Sequence, residues 1–283
     1  MSLIKIENFS YRYPIADEYA LESINLEIEA GQLYALIGKN DSGKTTLCNA
    51  IRGFIPHFRG DYSGRITLEG KEIADYTLSE LAPKIGYLFQ NPFTQITGFK
   101  DTVYEEIAYG LENLGVARGE IIAKVNDVMD ELEIAHLKDV NPFELSGGQK
   151  QKVALASTIV MEPDVYIFDE PTSQLDPHAT EEVFEVIDQL KKAGKTIILV
   201  EHKIDLIAEY ADQVVLINEG SVQMAGNVRD VLTHEAVIQS GVALPKYAVL
   251  GHEMRRRGIP VDSIPITEDE ASQLLSRYMK GRV

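Results

Sequence analysis

The sequence predicts an α/β fold in which a mainly parallel sheet carries helices on both of its faces. Stretches with helical periodicity occur at residues 44–52 and 180–193. Around them lie short apolar runs typical of strands buried on both faces, at residues 33–37, 165–168, 196–200 and 214–217. Strands that alternate with helices indicate parallel pairing, because each parallel connection has to cross over the sheet.

The remaining regions predict antiparallel strands and a helical insertion. Apolar residues alternate with polar ones around residues 4–6 and 24–28, as in half-buried strands. Two further short runs flank Glu69-Gly70, a pair typical of a hairpin turn. Residues from about 91 to 158 have a mostly helical pattern, which predicts an inserted helical subdomain.

Composition and charge exclude several functional classes. The 283 residues include 44 acidic and 27 basic side chains, and the net charge of −17 repels the phosphate backbone of nucleic acids. A single cysteine, Cys48, makes an internal disulfide impossible and favours a reducing, cytoplasmic setting. No apolar run approaches the ~20 residues of a membrane-spanning helix, so we expect the chain not to cross a membrane by itself.

A glycine-rich loop follows the first predicted core strand. Residues 38–45 read GKNDSGKT, which matches the pattern G-x-x-x-x-G-K-[ST] between a strand and a helix. Backbone N–H groups of such a loop wrap around phosphate oxygens, and the helix N-terminus adds partial positive charge. We expect Lys44 to reach the β- and γ-phosphates and the Thr45 hydroxyl to bind Mg²⁺; the alternative is a plain glycine turn. The predicted nucleotide ligands are Gly38, Asn40, Asp41, Ser42, Gly43, Lys44, Thr45 and Thr46.

A second core strand ends in two carboxylates. The apolar run at residues 165–168 is followed directly by Asp169 and Glu170. In phosphate-loop enzymes the Asp at the end of such a strand holds Mg²⁺. Glu170, one residue further on, is placed to polarise the attacking water. The alternative is a solvated strand end before the turn at Pro171, and the upstream phosphate loop favours the magnesium site.

A motif between these two segments resembles the signature sequence of ABC ATPases. Residues 145–149 read LSGGQ and precede an apolar helical run. The resemblance covers about residues 1–235. It implies a P-loop NTPase fold with a RecA-like core, an antiparallel β subdomain and an inserted helical signature subdomain. It also implies two subunits that face head to tail, so that Ser146, Gly148 and Gln149 of one close on the γ-phosphate held by the other.

Four further residues match positions of the same family. Gln90 matches the Q-loop glutamine, which senses Mg²⁺ and water, and His202 matches the switch histidine at the γ-phosphate. Asp176 matches the D-loop at the dimer seam; Tyr13 resembles the aromatic residue that stacks on adenine, with Tyr11 as its rival. Each residue has a plainer structural alternative: a polar loop residue, a solvated histidine, a helix cap or a packed strand residue. Together the matches assign catalysis to Lys44, Gln90, Glu170 and His202, Mg²⁺ binding to Thr45, Gln90 and Asp169, and further ATP contacts to Tyr13, Ser146, Gly148, Gln149 and Asp176.

Smaller motifs resemble one branch of the family, the energy-coupling-factor importers of vitamins and metal ions. They include FQNP at residues 89–92, ENLG at 112–115 and LP at 244–245. The resemblance implies an ATP-hydrolysing importer subunit, peripheral to the cytoplasmic face of the cell membrane. Its expected partners are a second ABC ATPase subunit, identical or related, a transmembrane coupling subunit and a substrate-binding membrane subunit.

Two other functions compete with this interpretation. One is an ABC ATPase without transport, such as a repair or translation factor, which the net charge and the lack of a long coiled-coil arm disfavour. The other is a small-molecule kinase or GTPase in which LSGGQ occurs by chance. A GTPase should also show an Asn/Thr-Lys-x-Asp motif, and none lies in an appropriate place.

The phosphate loop departs from the family pattern at two positions. Asp41 stands where the family usually has Gly, and Lys39 where it usually has Pro. Asp tolerates a positive φ better than most residues, so we expect the loop to form. We also expect its carboxylate to weaken nucleotide binding, an effect that Lys39 offsets in part.

The last residues predict an appended element. We divide the chain into an ATPase domain at residues 1–238 and a C-terminal extension at 239–283, a possible dimerisation element. Thr267 and Glu270 fit a capping box. The apolar residues behind them share one helix face, which packs either on the chain's own core or on a partner subunit. These residues are Ala271, Leu274, Leu275 and Tyr278.

Overall fold

The computed structural model describes residues 2–57, 60–234, 237 and 240–280, in two sheets with surrounding helices. The strands are β1 (Ser2–Arg12), β2 (Leu21–Glu29), β3 (Leu33–Ile37), β4 (Asp61–Leu68), β5 (Lys71–Glu72), β6 (Ile85–Leu88), β7 (Val165–Asp169), β8 (Thr196–Val200), β9 (Gln213–Asn218) and β10 (Ser221–Asn227). The helices are α1 (Lys44–Ile51), α2 (Phe54–His57), α3 (Leu78–Leu81), α4 (Pro92–Gln95), α5 (Val103–Asn113), α6 (Arg118–Glu131), α7 (Gly147–Ile159), α8 (Pro177–Lys192), α9 (Ile204–Tyr210), α10 (Val228–Leu232), α11 (Lys246–Arg256) and α12 (Glu268–Lys280).

The larger sheet has the strand order β10-β9-β3-β8-β7-β6. Its strands pair in parallel except at β10, which joins the edge antiparallel to β9. Every residue of β3, β7 and β8 is buried, as expected of strands covered on both faces. The prediction of a mainly parallel α/β sheet is confirmed.

Alternate residues of β3 pack into two separate cores. Leu33 and Ala35 belong to the core formed with α5, α6, α7 and α8, whereas Tyr34 and Leu36 belong to the core formed with α1 and the smaller sheet. This division follows from the period of two along a strand. The second face is therefore covered by a sheet as well as by helices, which the sequence pattern of the core strands did not indicate.

The smaller sheet is antiparallel, in the order β2-β1-β4-β5. Glu69 and Gly70 connect β4 to β5 with φ values of 53° and 84°. Positive φ at both central residues is typical of the type I′ turn, whose twist suits a two-residue hairpin. The predicted hairpin is confirmed.

The segment between β6 and β7 contains α4, α5, α6 and α7, in agreement with the predicted helical pattern. One apolar face of each longer helix is buried, as at Ile107, Val125 and Val153. Residues 92–159 thereby contribute the outer layer of the larger core. The division of the chain into subdomains at these bounds stays a prediction.

The C-terminal extension packs α11 and α12 onto the larger core. Ile264, Ile266 and Ala271 are buried, and the guanidinium group of Arg229 pairs with the Glu270 carboxylate. The capping box does not take its predicted form, because Glu270 accepts from the N–H of Ile266 at 2.8 Å, one residue before the required position. Pairing with Arg229 draws the carboxylate toward α10, which explains the difference.

Candidate functional site

The phosphate loop folds at the carboxyl end of β3, between that strand and α1. Its backbone has positive φ at Asp41 (61°) and at Gly43 (105°). A Cβ atom on Gly38 would lie 2.1 Å from the carbonyl oxygen of Ile217 in β9, so only glycine fits there. Because the loop passes so close to β9, the position of the sheet determines where the loop begins.

Lys44 is buried in the floor of this loop. Its Nζ atom donates to the carbonyl oxygens of Gly38 at 2.9 Å and Lys39 at 2.7 Å. Burial lowers the pKa of Lys44, while the carboxylates of Glu170, Asp169 and Asp41 oppose that change. The loop therefore brings a desolvated ammonium group to the same place as three acidic side chains.

A cavity of about 860 Å³ opens over the loop, within the range of pockets that enclose small ligands. It combines residues from five separate parts of the chain, and most of the predicted nucleotide ligands lie on its wall. The lining residues are Tyr13, Ala20, Asn40, Asp41, Gly43, Lys44, Thr45, Thr46, Gln90, Glu170 and His202.

Glu170 is held from both sides by Gln90 and His202, two of the residues that match family positions. Gln90 Nε2 donates to Glu170 Oε2 at 2.8 Å, and His202 Nε2 lies 3.0 Å from Glu170 Oε1. Glu170 has a φ of 52°, a left-handed value that costs a non-glycine residue free energy. Such strain is frequent at functional sites, because surrounding contacts can hold a residue where its chemistry requires it.

Asp169 is buried at the end of β7 and has one oxygen in use. Tyr87 donates its hydroxyl to Oδ2 at 3.1 Å, whereas Oδ1 has no hydrogen-bond partner among the residues described. Burial raises the pKa of Asp169, and the neighbouring hydroxyl groups of Thr45 and Tyr87 oppose this rise. A buried oxygen without a partner next to Thr45 suits a hard cation with oxygen ligands.

This donor set is too small to hold a metal by protein groups alone. Within the described part of the chain, no cluster of three or more His, Cys, Asp or Glu side chains could bind a metal ion. Mg²⁺ does not need such a cluster, because it keeps several waters and is bound through one or two carboxylates together with substrate phosphates. The residues present therefore fit Mg²⁺ bound as a nucleotide complex.

The two candidate adenine contacts differ in their surroundings. Tyr13 is 45% exposed and lines the cavity, and its hydroxyl lies 3.0 Å from Thr46 Oγ1. Tyr11 is 3% exposed and meets the Tyr13 ring edge-on at a centroid distance of 4.9 Å. Of these two rings, that of Tyr13 lines the cavity, and Tyr11 packs against it from the core.

The signature residues lie outside the cavity and cap a helix. Ser146 accepts from the N–H of Gln149 at 3.3 Å, and Gln149 Oε1 accepts from the N–H of Ser146 at 3.0 Å, a complete capping box on α7. Asp176 caps α8 in a similar way, by accepting from Ala179. Of the described residues, those around the cavity include neither Ser146 nor Gly148, Gln149 or Asp176.

Sequence reasoning assigned no role to Glu201, which the structure makes central to the His202 loop. Its buried carboxylate accepts from the Thr172 hydroxyl at 2.7 Å and from the His202 N–H at 2.9 Å. Lys203 Nζ donates to Thr180 Oγ1 at 2.7 Å. These bonds tie the end of β8 to the chain after β7. An acidic residue directly before His202 was the available signal.

A family model described as ABC transporter matches residues 21–173. The chain belongs to this family. An ABC transporter ATP-binding protein of Pyrococcus horikoshii, provisionally so named, is 40% identical to this ABC ATPase over 100% of both chains. The energy-coupling factor transporter ATP-binding protein EcfA2 of Clostridium perfringens is 38% identical, over 98% of this chain and 99% of its own.

A solved structure supports the same assignment. CbiO1 from Clostridium perfringens, part of the ABC transporter complex CbiONQ, superposes with a TM-score of 0.73 at 35% identity. The match covers 90% of this chain and 99% of CbiO1. The protein is thus an ABC transporter ATP-binding subunit that resembles the energy-coupling-factor branch. Among its described helices, none has the length and apolar character needed to cross a membrane.

Proposed function

We propose that this subunit hydrolyses ATP to drive an energy-coupling-factor importer of a vitamin or metal ion. The observation that carries the proposal is Glu170, held between Gln90 and His202 on the wall of a nucleotide-sized cavity above a phosphate loop. Similarity to EcfA2 and CbiO1 supports the branch. The subunit would act at the cytoplasmic face of the membrane with a transmembrane coupling subunit and a substrate-binding membrane subunit.

The proposed chemistry uses the polar groups of the cavity together with Asp169, which lies beneath it. Loop N–H groups and Lys44 bind the phosphates, and Tyr13 stacks on adenine. Glu170 orients a water molecule for attack on the γ-phosphorus and accepts its proton, while Gln90 and His202 hold the carboxylate in place. Thr45, Asp169 and Gln90 are the residues that would hold Mg²⁺. When bound, Mg²⁺ supplies positive charge that offsets the charge of the phosphate oxygens.

A second ABC ATPase subunit completes the site in this proposal. Ser146, Gly148, Gln149 and Asp176 lie outside the cavity of their own chain, and the residues at the start of α7 are exposed or half-buried. A helix N-terminus of this kind binds anions. We therefore infer that Ser146, Gly148 and Gln149 contact the γ-phosphate held by a partner, identical or related, and that Asp176 lies at the seam between the two subunits.

Phosphate release tests the reaction. The purified full-length chain should release phosphate from ATP with Mg²⁺ and no acceptor, which a kinase would not do. Lys44→Met should reduce the rate by ~10²-fold or more, since a fixed charge at the transferring phosphoryl group is lost. Lys39→Met, at an exposed position of the same loop, should retain most of the parental rate of phosphate release. Absence of acceptor-independent release would exclude an ATPase.

Copurification tests the transport assignment. A tag on this chain, coexpressed with membrane proteins encoded beside it, should retain those proteins in detergent. Phosphate release without any retained membrane subunit would instead favour an ABC ATPase that does not transport.

A further inference from the structure

Tyr87 ties the buried Asp169 carboxylate to the neighbouring strand by a hydrogen bond. Its hydroxyl donates to Oδ2 at 3.1 Å from β6, whose register places Leu88 beside Phe168 of β7. Both side chains are buried. The second oxygen of Asp169, Oδ1, has no partner in the described part of the chain. Tyr87 therefore holds one oxygen from the sheet side, while the unpartnered Oδ1 remains for a ligand and the Thr45 hydroxyl lies beside the same carboxylate.

We propose that Tyr87 is a positioning residue for the metal–nucleotide complex: its hydroxyl fixes the rotation of the Asp169 carboxylate and keeps Oδ1 available to Mg²⁺. The inference rests on the proposed function, since Tyr87 would orient a residue of the same metal–nucleotide site. Groups that orient metal ligands in this way commonly account for 10–100-fold in metal affinity or activity.

The ring of Tyr87 is held on two sides. The guanidinium carbon of Arg52 lies 4.0 Å from its centroid, and Phe89 meets it edge-on at 4.9 Å. The same guanidinium group lies 4.1 Å from the ring of Phe54. Arg52 packs between the rings of Phe54 and Tyr87. A rotation of the Tyr87 ring away from Asp169 would therefore displace the Arg52 guanidinium group.

Arg52 also links this support to the phosphate loop. It follows α1 directly, and α1 begins with Lys44 and Thr45. Its Nε atom donates to Asn49 Oδ1 at 2.9 Å, which fixes the side chain against the helix. Helix α1 thus begins with the loop residues Lys44 and Thr45, and Arg52, which contacts the Tyr87 ring, follows its last residue.

A buried tyrosine needs a hydrogen-bond partner, so a purely structural role is the competing explanation. Tyr166 supplies the comparison within the same sheet. It is buried, it lies on β7 opposite Gly86, and its hydroxyl donates to the carbonyl oxygen of Ile159 at 3.4 Å. Tyr87 instead donates to a carboxylate of the metal site.

The test compares Tyr87→Phe with Tyr166→Phe, each of which removes one buried hydroxyl. Mn²⁺ affinity in the presence of ATP is measured by electron paramagnetic resonance, and ATP affinity without metal by calorimetry in EDTA. Tyr87→Phe should weaken Mn²⁺ binding by about tenfold and leave metal-free ATP affinity unchanged. Tyr166→Phe should change neither, while thermal unfolding reports the stability of both.

Three results would overturn the inference: unchanged Mn²⁺ affinity in Tyr87→Phe, an equal loss of metal-free ATP affinity, or the same loss of Mn²⁺ affinity in Tyr166→Phe. Should Tyr87→Phe not fold, Arg52→Gln releases the ring and should weaken Mn²⁺ binding at least threefold; no change there also overturns it. If metal does not increase the ATP affinity of the parental chain, the proposed function itself is overturned. The parental chain alone gives that result, so it is distinguishable from a failure of the inference about Tyr87.

Discussion

Glu170 concentrates most of the proposed chemistry in one side chain. It has a left-handed backbone, one hydrogen bond to Gln90 and one contact with His202. Its own N–H donates to the Val200 carbonyl oxygen at 2.9 Å, which anchors the strained residue to β8. The carboxylate is thus positioned in advance, so little reorganisation is needed when a water molecule binds.

Glu170→Gln should keep ATP binding and reduce turnover by ~10²-fold or more, because the amide keeps the shape of the side chain but cannot accept the proton. Phosphate release and calorimetry measure the two effects. Glu133→Gln is a matched control, since Glu133 is exposed and has a similar φ of 57°. Turnover near the parental rate in Glu170→Gln would contradict the general-base assignment.

Asp41 adds a negative charge to the wall of a cavity proposed to hold a polyphosphate. Its φ is 61°, and its carboxylate is one of the groups that oppose the lowering of the Lys44 pKa. The side chain of Lys39 packs against Gly241, where a Cβ would lie 2.5 Å from Lys39 Cε. The positive φ of Asp41 shows that the loop forms with aspartate at a position that favours glycine.

Asp41→Gly should tighten ATP binding several-fold. Two unit charges ~6 Å apart at an effective dielectric of ~20 interact by about 3 kcal/mol, less after screening by salt. Asp41→Asn separates charge from backbone strain, because asparagine keeps the shape and tolerates a positive φ. Calorimetry should show tighter binding in both variants. Equal or weaker binding in both would mean that the carboxylate does not act on the phosphates.

At the scale of the elements, α12 has an apolar face that is only partly covered. Ala271 is buried and Leu274 and Tyr278 are half-buried, but Leu275 is 39% exposed and Met279 is 70% exposed. The predicted face therefore divides, with one edge on the chain's own core and the other free to meet a partner. We propose that the free edge holds two ATPase subunits together while their nucleotide sites open.

Met279→Lys should weaken the association of the subunits in the absence of nucleotide, because it places a charge in an apolar contact. The stability of the monomer should not change, because Met279 is exposed. Sedimentation of the full chain, alone and with any partner ATPase, measures the mass. Gln273→Lys, exposed on a different side of the same helix, is the control. Unchanged association in Met279→Lys, or a parental chain that stays monomeric throughout, would exclude this role for α12.

At the scale of the whole molecule, one chain holds half of the proposed catalytic assembly. The cavity wall contains the phosphate loop, Gln90, Glu170 and His202, while Ser146 caps α7 away from it. The net charge of −17 adds repulsion between two such chains. Apolar contacts and bound nucleotide therefore have to outweigh that repulsion when the proposed dimer closes.

Sequence alone determined the parts of the protein that depend on neighbours along the chain. The phosphate loop, the acidic end of β7 and the helical segment between β6 and β7 follow from local periodicity and from glycine placement. The signature and its place in the order of motifs identified the family. The capping box at Thr267 was wrong in detail because Arg229, 41 residues earlier than Glu270, attracts that carboxylate.

Only the tertiary structure decided which distant side chains meet. Gln90 reaches Glu170 across 80 positions and Tyr87 reaches Asp169 across 82, because β6 lies beside β7 in the sheet. Burial likewise separated Tyr13 from Tyr11, which look alike in sequence. Strand order and burial result from packing summed over the whole core, and no local pattern encodes that sum.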